Sequence, residues 1–165
     1  MTQIDNFICM SILNYKLFRS TYEHNILEDE KYMGIFNESE KQSILQIGID
    51  NQSSLISTLY NLFVIPFEKL LKPQNMLTDF ENMLKGNCFI LTNKHKKQEL
   101  NYHLRNCLAH VNIEFKNNNV IFTDINPTNT TEIFEFTMTL NQLKTIVNFL
   151  VNYLTTYLNK KYHNI

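Results

Sequence analysis

A chain of 165 residues with a formal net charge of −1 is long enough to bury a sizeable core as one domain. The near-neutral charge excludes a global positive field that would attract nucleic acid, so any nucleic-acid site must be local. The chain has 12 Phe and 8 Tyr but only 3 Gly and 3 Pro, which argues against a sandwich of short strands and favours long helices.

The cysteines and the apolar runs indicate in which cellular compartment the protein is expected. Cys9, Cys88 and Cys107 are far apart and form no C-x-x-C pair. Asp5 interrupts the first apolar positions, so the N-terminus does not resemble a secretion signal. The longest unbroken apolar run, LFVIPF at residues 62–67, is far shorter than the roughly 20 residues that span a bilayer. We therefore expect a reduced, cytoplasmic protein with no membrane partner.

The N-terminal apolar residues predict one long helix. They recur at spacings of three or four positions, as expected for the buried face of a helix. We expect this helix over about residues 4–30, with a break at Gly34. Its apolar face comprises Ile4, Ile8, Ile12, Tyr15, Phe18, Tyr22 and Ile26.

A second helical zone is predicted over about residues 38–71. A polar run interrupts it just before Ser53 and Ser54. Either serine can cap the new start, because a hydroxyl oxygen accepts a hydrogen bond from an unpaired backbone N–H group. Pro66 lies inside this zone and should kink the helix, since proline has no N–H group to donate.

Residues 72–75 form a predicted connector. A short helix is expected next, beginning near Thr78 and stopped by Gly86. A variable stretch follows, and the sequence NKHKKQEL then leads into a further helix that carries the hexapeptide RNCLAH at residues 105–110.

Downstream of about residue 112 the apolar period changes from 3.6 to 2, which predicts strands. The segments NIEF and VIFTD form a hairpin around an Asn-rich turn, because Asn tolerates a positive φ better than most residues, and EIFEF is a third strand. Thr139 and Gln142 predict a capping box at the start of the last helix. The apolar stripe of that helix comprises Leu143, Ile146, Val147, Leu150, Leu154, Tyr157 and Leu158.

Together these elements predict a mainly α fold. We expect a single domain over residues 1–165, built as a bundle of four to five helices. A small β insert at about residues 112–137 precedes the last helix. The sequence contains no internal repeat, so a solenoid is not predicted.

The hexapeptide RNCLAH places three costly polar groups on an otherwise apolar helix. At 100° per residue, the predicted core face is one narrow band that comprises Leu100, Leu104, Cys107 and Val111. A second band about one residue's rotation away comprises Glu99, His103, Asn106 and His110. A polar stripe beside a buried one is partly desolvated. Asn106 precedes His110 by one turn, so its amide can touch the imidazole, and the long side chain of Arg105 can reach back from a neighbouring face.

Spacing alone allows a purely structural explanation of these residues. A His beside an apolar face is most often a satisfied core residue, and Arg and Asn are ordinary on helix surfaces. A metal site fits less well, because His103 and His110 are seven residues apart rather than four and no cysteine assists. The chain also has no glycine-rich phosphate loop, no G-x-S-x-G elbow and no H-E-x-x-H motif, so we expect no metal and no cofactor.

The run RNCLAH resembles the R-[polar]-x-x-x-H signature of the HEPN superfamily, whose all-helical domains occur in many ribonucleases of toxin and defence systems. The longer stretch LRNCLAHVNIEFKNNNVIFTD is similar to the RNAxAHG, hairpin and Asp run of small plasmid- and phage-borne HEPN proteins. The likeness is tight over residues 100–124, and elsewhere it consists only of helix order. Val111 departs from the pattern, because relatives often have Gly there, which bears on how the helix ends.

The resemblance implies a metal-independent endoribonuclease that cleaves single-stranded RNA through the 2′-hydroxyl, as a cytoplasmic toxin or antiviral defence effector. It also implies a homodimer in which two motif helices form one composite site, and a further partner such as an antitoxin or another defence subunit. Arg105 would hold the phosphate, Asn106 would orient the imidazole and His110 would move protons. The alternatives are a catalytically silent HEPN module that binds RNA or a protein scaffold partner, and a purely structural helical adaptor.

Residues around the motif are candidate substrate contacts. Glu99 and His103 extend the polar stripe, although an ordinary surface pair at i, i+4 also explains them. Tyr102 can stack on a base or simply pack. The only dense basic cluster, NKHKK, directly precedes the motif helix and is either a phosphate track for RNA or a solvated loop. Its lysines are Lys94, Lys96 and Lys97.

Overall fold

The computed structural model describes residues 1–24, 29–47, 51–71, 76–94 and 99–162. In this part of the chain the fold is mainly helical, with an antiparallel sheet placed ahead of the long last helix, which confirms the predicted fold class. The helices are α1 Gln3–Glu23, α2 Glu30–Met33, α3 Glu38–Ile47, α4 Gln52–Leu59, α5 Leu77–Asn87, α6 Leu100–His110 and α7 Leu140–Tyr162. Two π-helical segments, Tyr60–Val64 and Phe67–Leu71, lie between α4 and α5. The strands are β1 Phe89–Asn93, β2 Ile113–Lys116, β3 Asn119–Ile125 and β4 Ile133–Thr139.

Helix α1 buries only part of its predicted face. The buried members are Ile8, Ile12 and Tyr15. The prediction for Phe18 is wrong, since its side chain is 59% exposed. At 100° per residue, Phe18 points roughly 80° away from Ile8, which takes it off the stripe. The helix also ends earlier than expected, at Glu23. The side chain of Tyr22 and residue Ile26 lie outside the described part of the chain.

The second helical zone breaks where predicted, but with a different cap. Helix α4 begins after Asn51, whose Oδ1 accepts a hydrogen bond of 2.8 Å from the backbone N–H of Ser54. The predicted caps Ser53 and Ser54 therefore lie inside the first turn. An Asn oxygen reaches the N–H three residues on, so the earlier polar residue takes the capping position.

Pro66 lies between the two π-helical segments, beyond the end of the regular α-helix at Leu59. Without an N–H group it cannot continue the ladder of hydrogen bonds, and the chain adopts wider turns on either side. Ile65 donates to the carbonyl of Tyr60 over 3.4 Å, and Leu71 donates to the carbonyl of Pro66 over 3.2 Å. The widened turns bury Phe63 and Phe67 in the core.

The region between α5 and the motif helix differs from the prediction. Gly86 lies inside α5 and does not stop it, because the helix continues to Asn87. The variable stretch after it is strand β1, which pairs with β4 and was not predicted. The side chains of Phe89, Ile90 and Leu91 are all exposed, so β1 lacks the alternation that marks a half-buried strand. Residues 72–75, the predicted connector, lie outside the described chain.

The sheet has the strand order β1-β4-β3-β2, and each neighbouring pair is antiparallel. The predicted hairpin is confirmed as β2 and β3, and its turn places Asn117 at a φ of 55°. One face of β3 points into the core through Val120, Phe122 and Asp124. Opposite them on β4 lie Met138, Phe136 and Phe134. Asp124 is thus a carboxylate in an inward-facing row of apolar residues.

The capping box of the last helix is confirmed. Gln142 Oε1 accepts a hydrogen bond from the backbone N–H of Thr139 over 2.8 Å, and Thr139 Oγ1 accepts one from the N–H of Gln142 over 3.3 Å. The helix that follows buries most of its predicted stripe, and Tyr157 packs partly buried against the same core. The buried members are Leu143, Ile146, Val147, Leu150, Leu154 and Leu158.

Candidate functional site

Helix α6 carries the motif and is held at its N-terminus by a buried carboxylate. Glu81 of α5 accepts hydrogen bonds from the backbone N–H groups of Leu100 and Asn101, over 3.0 and 2.9 Å. These N–H groups have no partner within a helix, and a negative charge at this end also complements the helix dipole. Lys85 lies 3.4 Å from the same carboxylate. The start of α6 is therefore tied to α5.

The C-terminus of α6 ends in a left-handed residue. The N–H of Asn112 donates to the carbonyl of Cys107 over 2.9 Å, and Val111 has a φ of 58° and a ψ of 32°. This is a Schellman arrangement with Val at the position where Gly is usual. The predicted core stripe of α6 is confirmed for Leu100, Leu104 and Cys107, but Val111 is 77% exposed because the chain turns away there.

His103 is fully buried, which corrects the expected surface pair with Glu99. Its exposure is 0%, and its Nδ1 lies 2.7 Å from Oδ2 of Asp124, which is 4% exposed. The imidazole stacks on Phe134 at a centroid distance of 3.9 Å and an interplanar angle of 2°. The inner face of the sheet covers this part of the helix. Glu99 instead occupies the N-cap position of α6 without a side-chain capping bond, and its carboxylate accepts a hydrogen bond from the side-chain amide of Asn101 over 3.2 Å.

Asn106 joins the buried pair to the motif arginine. Its Nδ2 donates to Oδ2 of Asp124 over 3.2 Å, and its Oδ1 accepts from Nη1 of Arg105 over 3.2 Å. The side chains of Arg105 and Asn106 are both half-buried. The amide was expected to touch the ring of His110, but its hydrogen bonds lead to Arg105 and Asp124.

His110 is the last residue of α6 and is exposed. It follows Asn106 by one turn, so the hexapeptide spans from a half-buried amide to a solvent-facing imidazole. The polar stripe is therefore graded in burial from His103 through Asn106 to His110. A substrate can reach the imidazole of His110 from solvent.

Asp124 ends the stretch that resembles small HEPN proteins, but the sequence analysis gave it no role in the site. It stands in the same network as the motif, although it lies on β3 and follows Asn106 by 18 residues. The signal was available in the alternation of VIFTD, because the residues two and four positions before Asp124 are apolar and face inward. A carboxylate in that row must find hydrogen-bond donors in the core.

The remaining predicted contact residues lie as follows. Tyr102 packs edge-on against Phe67 with ring centroids 5.2 Å apart. Of the two alternatives for this residue, stacking on a base or packing in the fold, the structure therefore shows packing. Lys94 is exposed just after β1, and its backbone N–H donates to the carbonyl of Ile133 over 2.8 Å. Lys96 and Lys97 lie outside the described residues.

The thiols of Cys88 and Cys107 are not activated nucleophiles. Burial, reinforced by the negative charge of Asp124, raises the pKa of Cys107 far above its ordinary value. Burial, with a smaller contribution from Glu81, raises the pKa of Cys88 to about 12. Both groups stay protonated at neutral pH, so neither supplies a thiolate. In the part of the chain that the structure describes, His, Cys and carboxylate side chains form no group of three or more that could ligate a metal ion.

The mainly helical fold and a polar motif at the end of an internal helix are features of the HEPN class. The family model HEPN pEK499 p136 matches residues 4–161, so the chain belongs to this family. HEPN domains are often ribonucleases. No curated protein and no solved structure gives a significant match. Among the described helices, none is both long enough and apolar enough to cross a bilayer.

Proposed function

We propose that this protein is a metal-independent endoribonuclease that cleaves single-stranded RNA. The observation that carries the proposal is the R-N-x-x-x-H motif on α6, where Arg105 is hydrogen-bonded to Asn106 and His110 faces solvent. Membership of a family class that is often ribonucleolytic supports it. We further propose that the cleavage serves a toxin or phage-defence system in the cytoplasm.

The chemistry needs only proton transfer and charge stabilisation, since RNA supplies its own nucleophile. The 2′-oxygen forms a bond to the adjacent phosphorus while a base takes its proton, and the bond from phosphorus to the 5′-oxygen breaks as an acid protonates that oxygen. The products are a 2′,3′-cyclic phosphate and a 5′-hydroxyl. His110 suits proton transfer because an imidazole has one ring nitrogen that can accept a proton and another that can donate one. The planar guanidinium of Arg105 suits a phosphate that gains charge.

A second copy of the chain would complete the site. One motif helix offers the single exposed imidazole of His110, whereas the reaction uses both a base and an acid. Two chains related by a two-fold axis present the same surface to each other, so the two α6 helices would bring two imidazoles and two guanidinium groups to one cleft. We therefore propose a homodimer with a composite site.

The proposal predicts cleavage that survives chelation and depends on the motif. Wild type should cut a single-stranded RNA in EDTA, and His110→Ala should lower the rate by about 10²- to 10⁴-fold because a proton carrier is lost. Arg105→Ala should cost about 10²- to 10³-fold by removing charge stabilisation. Denaturing gels follow the cleavage, and circular dichroism checks that both variants stay folded. Cleavage that stops in EDTA, or that persists in His110→Ala, would contradict the proposal.

A second candidate function is a protein-binding module that does not cleave RNA. It is favoured by apolar side chains on α1 that face solvent on the side away from the core, namely Phe7, Met10, Leu13, Leu17 and Phe18. Exposed apolar patches of this kind mark interaction surfaces, for example with an antitoxin or another defence subunit. A wild type that does not cleave RNA but forms a complex with such a partner, which Leu17→Glu abolishes, would favour this candidate over the enzyme.

A further inference from the structure

The hydrogen bonds around Asp124 form a chain that leads from the core toward the surface. A single oxygen, Oδ2 of Asp124, receives two donors from α6: Nδ1 of His103 at 2.7 Å and Nδ2 of Asn106 at 3.2 Å. The oxygen of Asn106 in turn receives Nη1 of Arg105 at 3.2 Å. Three contacts thus connect a fully buried imidazole to a half-buried guanidinium.

The chemistry of the partners fixes the orientation of the Asn106 amide. An ionised carboxylate can only accept hydrogen bonds, so the amide must present its nitrogen to Asp124. Its oxygen then points the opposite way and can only accept, which matches the guanidinium of Arg105. Burial strengthens this preference, because a flipped amide would set two acceptors against each other where little water can relieve them.

The carboxylate itself is held by the sheet and by the buried imidazole. Asp124 on β3 lies directly opposite Phe134 on β4 in the strand register. The ring of Phe134 stacks on His103, whose Nδ1 meets the carboxylate. The same cross-strand pair therefore positions both the carboxylate and the imidazole that donates to it.

We infer that Asp124 and His103 are positioning residues, which act through Asn106 to hold the guanidinium of Arg105 in its phosphate-binding orientation. This inference rests on the proposed ribonuclease function. A planar guanidinium tethered at one nitrogen keeps its remaining N–H groups for two parallel bonds to a phosphate. Neither Asp124 nor His103 touches the substrate, so their effect on the rate passes through Arg105.

A double-mutant cycle tests this coupling. Asp124→Asn keeps the shape of the side chain, but its amide presents N–H groups as well as an acceptor, so the orientation of Asn106 is no longer enforced. We expect kcat/KM to fall by about 10- to 100-fold, the cost of a misplaced catalytic group. Arg105→Lys keeps the charge but loses the planar fork. In the Arg105→Lys background, Asp124→Asn should lower kcat/KM by less than a further threefold, because the guanidinium that it positions is already absent.

The chain offers a matched control in Asp5→Asn. Asp5 is also fully buried and accepts several hydrogen bonds, but its partners belong to the ends of α1 and α7. This control should keep kcat/KM within threefold of wild type. A second variant, His103→Phe, keeps an aromatic ring against Phe134 and removes the donor to Asp124. It should lower kcat/KM by a smaller factor than Asp124→Asn.

The tether, meaning the hydrogen bonds from Asp124 through Asn106 to Arg105, can also be detected without an activity assay. In wild type, the side-chain amide signals of Asn106 and the guanidinium signals of Arg105 in ¹⁵N NMR should be shifted and protected from exchange, and Asp124→Asn should abolish this. Unchanged signals in Asp124→Asn would overturn the inference. It would also be overturned if the decreases in kcat/KM caused by Asp124→Asn and Arg105→Lys multiplied in the double mutant. A wild type that does not cleave RNA but shows the protected signals would overturn the proposed function and leave the tether standing.

Discussion

At the end of the motif helix, Val111 occupies a backbone conformation that suits Gly. Its φ of 58° lies in the left-handed region, where the Cβ of an L-residue crowds the following carbonyl oxygen. Asn117 is the other described residue with a positive φ that is not Gly, and Asn tolerates this region through its short polar side chain. A β-branched residue has no such relief, so Val111 stores strain next to His110.

We predict that Val111→Gly stabilises the protein by about 0.5–1 kcal/mol. Relief of the left-handed strain, roughly 1–2 kcal/mol, exceeds the entropy that Gly loses on folding, roughly 0.5–1 kcal/mol. The side chain is 77% exposed, so little packing is lost. Urea unfolding measures the change. Val111→Ala is the control and should gain less, because it keeps the Cβ. A Val111→Gly variant that unfolds more easily than wild type would contradict the strain argument.

Among the elements, α1 and α7 are tied together by one buried carboxylate. Asp5 accepts hydrogen bonds from Thr2 at the start of α1 and from Lys161 and Tyr162 at the end of α7, with Lys161 Nζ at 2.9 Å. Burial alone would raise the pKa of Asp5, but the hydrogen bonds from Lys161, Thr2 and Tyr162 outweigh it. They hold the pKa well below its ordinary value.

This tie predicts a specific loss of stability in acid. Because the pKa of Asp5 is lower in the folded state, its contribution is fully present above the unfolded pKa of about 4 and is lost as the pH falls toward the folded pKa. Asp5→Asn should cost about 1–3 kcal/mol at neutral pH, because the buried side chain loses the charge that accepts the hydrogen bonds from Thr2, Lys161 and Tyr162. Urea unfolding at pH 7 and pH 3 measures both effects. An unfolding free energy that is equally pH-dependent in Asp5→Asn and wild type would assign the acid loss to other groups.

Elements made by local contacts were predictable from the sequence. The capping box of Thr139 and Gln142 joins residues three apart, and the β2–β3 hairpin joins neighbours across a short Asn-rich turn. Strand β1 was missed because its pairing lies in β4, more than 40 residues away, and its exposed apolar side chains follow no period. Patterns within a window report on local contacts, and such long-range pairing leaves no trace in them.

For the molecule as a whole, the distinction between local and long-range contacts also decides which parts of the site could be predicted from the sequence. The order of Arg105, Asn106 and His110 on one helix is visible in the sequence, as is the core stripe beside them. The burial of His103 is not, because the periodicity of α6 places His103 next to the core without saying which surface covers it. That surface is the sheet, where Asp124 on β3 contacts His103 and its register partner Phe134 on β4 stacks on the imidazole.

The proposed composite site predicts that activity depends on association. At concentrations below the dimer dissociation constant, the specific activity of wild type should fall in proportion to protein concentration, because only paired chains complete the site. Sedimentation velocity over the same concentrations gives the dimer fraction, and the two curves should superimpose. Full specific activity in a sample that sediments as a monomer would contradict the shared site.

The measurement that tests the central claim most directly compares two substrates in EDTA. One is a single-stranded RNA, and the other is the same sequence with every 2′-hydroxyl methylated, which removes the internal nucleophile and leaves the phosphates in place. We predict that the protein cuts only the first and leaves 2′,3′-cyclic phosphate and 5′-hydroxyl ends. Cleavage of both substrates, or of neither, would contradict a ribonuclease in which Arg105 and His110 act on a nucleophile that the RNA supplies.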